Sequence, residues 1–85
     1  MLAHSEIDRE KKNKLMQTAL AMYMSAIELD QNFFAAHYSL ATSYANLGYW
    51  DLAISEMEIA LKLNPSDVDT KKLLIEFRRQ KANSM

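Results

Sequence analysis

The sequence predicts an all-α protein of about four helices folded as antiparallel hairpins, and three observations predict it. Apolar residues make up 49% of the 85 residues and recur with the 3.6-residue rhythm of helices. Helix breakers are nearly absent, with Gly48 the single glycine and Pro65 the single proline. The chain also repeats its own pattern at an offset of 34 residues, enough for two short helices and their turns.

The first helix is expected to begin near Ser5, where Ser-Glu-Ile-Asp offers a capping serine with an acid three residues on, and to end near Asp30-Gln31-Asn32. Residues 5–31 then form one long element, because Asn13-Lys14 offers no glycine at which to turn. From Leu15 to Leu29 its apolar side chains cover roughly 220° of the circumference at about 100° per residue, far more than the stripe a solvent-facing helix carries. A second helix is expected from about Phe34 to Leu47. It stops at Gly48, which can take the left-handed conformation that helix C-termini favour. The third begins near Asp51 and is closed by Asn64-Pro65, since proline cannot continue the hydrogen-bond ladder. Ser66 or Asp67 caps the fourth, which covers residues 68–82 with Val68, Leu74, Ile75 and Phe77 available for packing.

Laying residues 14–32 over 48–66 pairs Ala19 with Ala53, Ala26 with Ala60, Leu29 with Leu63, Leu20 with Ile54 and Ile27 with Leu61. Small Ala41, Ala53 and Ala60 let two helices approach closely, and Leu40, Tyr44, Ile54, Met57 and Leu61 fill the gaps between them. The stretch FAAHYSLATSYANLGYWDLAISEMEIALKLNP, residues 34–65, resembles a complete repeat of the tetratricopeptide repeat family. His37 stands where that family usually has tryptophan, and Leu40, Ala41, Tyr44, Gly48, Ala53, Met57, Ala60 and Pro65 follow at the family's spacing. The resemblance implies a repeat over 34–67, a partial preceding repeat within 5–31, and a solvating C-terminal helix over 68–82. Residues 3–13 depart from the pattern. Glu6 and Glu10 fall where large apolar residues belong, and only Ile7 fits.

Composition narrows the chemistry. The net charge is -1, distributed as +1 over residues 1–14, -6 over 15–70 and +4 over 71–85, which gives no general case for nucleic acid. With no cysteine and no histidine pair four residues apart, no metal site is expected, and His37 is read as a packing residue. Asp67 and Asp69 suit the positive end of a helix better than a divalent ion. No glycine-rich loop cradles phosphate, and Ser39 and Ser43 have no base at a useful spacing, so neither an enzyme nor a cofactor is expected. The start MLAHSEIDREKK turns charged before any apolar run of signal length, and no run approaches about 18 apolar residues. The expectation is a cytoplasmic protein with no membrane contact.

Binding is the function the resemblance implies. In the family, the first helix of each repeat lines a concave groove that holds peptides or helices of partner proteins. Carried over by position, the groove residues here are Ala35, Tyr38, Ser39, Thr42, Ala45 and Asn46. One subclass clamps a C-terminal carboxylate with lysine, arginine and asparagine; Tyr38 and Thr42 occupy two of those positions, which argues against that ligand. The apolar excess of the first helix, at Leu15, Met16, Met22, Met24 and Leu29, is read as a self-association surface that makes the chain a homodimer. The alternative cover is a preceding repeat in a longer chain. A second function class assigns nucleic acid or an acidic partner to the basic cluster Lys71, Lys72, Arg78, Arg79 and Lys81. The first class, a small adaptor or assembly scaffold binding a protein or peptide, is the better supported.

Overall fold

The computed structural model describes residues 2–84, with side chains described from Glu10 onward. Four helices follow one another: α1 (Leu2–Leu29), α2 (Phe34–Asn46), α3 (Trp50–Leu63) and α4 (Val68–Asn83). Each packs chiefly on its neighbour in sequence, so the chain is an all-α stack of antiparallel helices. Along α2 the partners descend α3: His37 meets Glu56, and Tyr44 meets Tyr49 just before α3 begins. The same reversal relates α3 to α4, where Glu58 meets Arg78 and Asp51 meets Lys81.

The backbone of α1 is already helical at Leu2, ahead of the start expected at Ser5. The Ser5–Asp8 capping pair, His4, Glu6 and Ile7 are among the side chains outside the described residues. α1 passes through Asn13-Lys14 without a break, and Thr18 ties its hydroxyl to the Lys14 carbonyl at 3.0 Å. It ends where the Asp30 carboxylate accepts from the Asn32 amide at 3.0 Å, a side-chain turn that redirects the chain into α2.

Gly48 closes α2 with φ 80°, in the left-handed region. The Tyr49 amide donates to the Tyr44 carbonyl at 2.9 Å and the Gly48 amide to that of Ala45 at 3.0 Å. This is the paired closure of a Schellman motif, and the rings of Tyr44 and Tyr49, 6.4 Å apart, supply its usual apolar contact. At the next turn Asp67 caps α4. Its carboxylate accepts from the Thr70 amide at 2.9 Å and from the Thr70 hydroxyl at 2.5 Å.

The core sits between α2 and α3 and spreads onto α4. Ala41, Ala53, Met57 and Ala60 are fully buried, with Leu40, Tyr44, Leu74 and Phe77 around them. Leu20, Tyr23 and Ile27 of α1 pack against the same cluster. The α4 side of the core differs from the sequence expectation. Thr70, Leu73, Leu74 and Phe77 turn inward, whereas Val68 and Ile75 are 60% and 67% exposed. The inward residues follow i, i+3, i+4, i+7, and Val68 and Ile75 fall on the opposite side of the same helix. Apolarity alone does not say which of two stripes meets α3. The Trp50 and Phe77 rings, 5.9 Å apart, lock α4 against the start of α3.

Candidate partner-binding surface

α2 presents one stripe to the core and another beside it. Leu40, Ala41 and Tyr44 point inward, which leaves Ala35, Tyr38, Ser39, Thr42, Ala45 and Asn46 along an adjoining face. Ala35 and Asn46 are exposed at its ends, and the four residues between are half-buried. Tyr38 is the largest of them. Its ring lies 5.8 Å from that of Phe34, tilted by 38°, so its position is fixed from within the helix. Burial raises the Tyr38 hydroxyl above the usual tyrosine value, and the carboxylates of Asp69 and Asp67 raise it further. At neutral pH the hydroxyl therefore stays protonated and can donate a hydrogen bond. Thr42 has its hydroxyl donating to the Ser39 carbonyl at 2.9 Å, so this side chain offers mainly its methyl group.

His37 turns the other way. It is 4% exposed, with Nδ1 2.8 Å from Glu56 of α3 and Nε2 2.9 Å from the Gln31 carbonyl in the turn before α2. It braces the helix that carries Tyr38. Among the described residues no group of three His, Asp or Glu side chains could hold a metal ion, and no helix is long and apolar enough to cross a membrane.

The residues read as a self-association surface lie on α1. Leu15 and Met22 are 66% exposed, Met24 45% and Leu29 90%, while Met16 is half-buried. At one place the structure brings the two sets together: a cleft of about 270 Å³ between α1 and α2 is lined by Met22, Ala35 and Ser39 with Tyr23 and Phe33. Phe33, 44% exposed, was not among the sequence candidates. Its signal was a large apolar side chain in a turn, off the periodic stripes. A second cleft, of about 540 Å³, opens between α3 and α4 and is lined by Leu61, Pro65, Leu74 and Arg78 with Glu58 and Lys62.

The basic cluster of α4 is largely paired. Arg78 reaches Glu58 at 3.2 Å, Lys81 reaches Asp51 at 2.5 Å, and Arg79 bonds Glu76. Lys71 and Lys72 are the members of that cluster with no carboxylate partner among the described residues.

The inward stripe of α2, the small-residue contact with α3, and the glycine and proline punctuation all fall within residues 34–67, and these residues match the model of the tetratricopeptide repeat. They form a tetratricopeptide repeat. α1 and α4 lie outside the matched residues, packed on either side of the repeat. No curated protein matches the chain. Tetratricopeptide repeats are generally non-catalytic modules for protein–protein interaction.

Proposed function

We propose that this chain is a non-catalytic adaptor or assembly scaffold of the cytoplasm, which holds a peptide or helix of a protein partner along α2 and associates with itself through α1. The observation that carries the reading is the half-buried face of α2 that adjoins its core stripe. Tyr38 is held at its centre by Phe34, and small side chains on both sides leave room for a ligand backbone to approach. A tyrosine with an apolar ring and a hydrogen-bonding tip is the residue type enriched at binding hot spots. The acidic surroundings of its hydroxyl favour a ligand that brings apolar side chains and a donor or cation.

The nucleic-acid reading is weaker than the sequence made it, because Arg78, Arg79 and Lys81 are engaged by carboxylates. Partners retained by the purified chain would be identified and their affinities measured at low and physiological salt. Apolar contact along α2 changes little with salt, whereas phosphate contact weakens by about 10³-fold or more for a site of several phosphates. Against such a partner Tyr38→Ala should cost about 1 to 2 kcal/mol of binding at unchanged helicity. Full affinity in that variant would move the site off α2.

A further inference from the structure

Leu15, Met22 and Leu29 recur at seven-residue intervals and stack along one line of α1, all three largely exposed. Between them on that line stand Thr18 and Ser25, both small and exposed. Thr18, Ala21, Met22, Ser25, Ala26 and Leu29 together line a shallow trough of about 460 Å³. Tall side chains every two turns with short ones between make knobs and holes of equal pitch. Such a surface is complementary to itself.

Charge selects the direction of pairing. The N-terminal side of the line carries Lys11, Lys12 and Lys14 with Glu10, and the C-terminal end carries Glu28 and Asp30 with no cation; all six are exposed. A parallel pair would set lysines beside lysines and carboxylates beside carboxylates, whereas an antiparallel pair sets each cluster beside its opposite. The side chains from Glu10 to Leu15 are also all exposed, so this part of α1 is free to reach across a second molecule.

Resting on the self-association reading above, we infer that the occupant of this line is the same helix of a second copy, antiparallel, with Met22 nearest the two-fold axis and Leu15 opposite Leu29 of that copy. Methionine suits the axis, where its flexible thioether adapts to its own image.

The chain has no cysteine, so single substitutions introduce the only thiols. Met22→Cys, Leu15→Cys and Leu29→Cys all lie at exposed positions, and circular dichroism checks their helicity. Light scattering of the unmodified chain at micromolar concentration is expected to give twice 9.8 kDa. Under mild oxidation Met22→Cys should link to itself. An equal mixture of Leu15→Cys and Leu29→Cys should form the mixed disulfide about tenfold faster than Leu15→Cys alone links to itself, because a disulfide needs its Cα atoms within about 7 Å. A dimer in which Leu15→Cys links to itself as fast as to Leu29→Cys overturns the antiparallel line and leaves self-association standing. A folded monomer overturns both.

Discussion

His37 and Glu56 are joined across the α2–α3 contact, with Nδ1 of the imidazole 2.8 Å from a carboxylate oxygen. The other ring nitrogen faces the Gln31 carbonyl at 2.9 Å, so one buried side chain ties the α1–α2 turn, α2 and α3 together. Glu56→Ala leaves Nδ1 of His37 buried without a partner, which should destabilise the fold by about 1 to 3 kcal/mol. Glu56→Gln retains an oxygen acceptor and should cost less. Urea unfolding of the three proteins checks the order, and equal midpoints would mean that the contact contributes nothing net.

Ala53 and Ala60 are fully buried where α3 meets its neighbours. A leucine at either site has no free volume to enter, and overpacking of this kind typically costs about 1 to 3 kcal/mol. Ala53→Leu and Ala60→Leu should therefore each lower the melting temperature. Parent-like melting of both would contradict the close approach of the helices.

Asp67 accepts two hydrogen bonds from Thr70, and these hold its carboxyl below the usual aspartate range. A carboxyl whose pKa is depressed on folding stabilises the fold fully above its unfolded value, and the stabilisation disappears as pH falls through the lower folded value. Asp67→Ala should thus unfold more readily than the parent at neutral pH, with a gap that is constant down to about pH 5 and narrows below about pH 4. A gap independent of pH would show that charge has no part in the cap.

Gly48 adopts φ 80°, and nothing lies within 4 Å of where a Cβ would stand. The cost of Gly48→Ala is therefore conformational alone, about 1 kcal/mol. Gly48→Asn should cost less, because asparagine tolerates the left-handed region better than alanine. A loss several times larger for alanine would reveal a contact that the backbone argument omits.

Much of the fold was legible because its signals are local. Gly48 and Pro65 mark the ends of α2 and α3, Asp67 stands one residue before α4, and the alanines reveal the close contact. What was not legible depends on orientation or on distant partners. Val68 and Ile75 are as apolar as Leu74 and Phe77, and only the rotation of α4 against α3 separates the two stripes. His37 finds Glu56 nineteen residues away, and Lys81 finds Asp51 thirty residues away, so neither pairing could be read from local sequence. The proposed binding stripe on α2 could be numbered from the repeat, but the cleft that joins it to Met22 and Phe33 follows from how α1 leans on α2.

The stack of neighbours has a consequence for how the molecule opens. Four of the five described residues with no exposure, Ala41, Ala53, Met57 and Ala60, belong to α2 and α3, and the fifth, Thr70, is on α4. α1 is held chiefly by α2, through a few half-buried side chains. Its amides should therefore exchange by local opening that leaves the α2–α3 hairpin closed, at a lower free energy than global unfolding. A ligand that covers α1 slows exchange there first, and one seated on α2 protects the most stable unit in the chain, so the pattern of protection reports which surface is occupied.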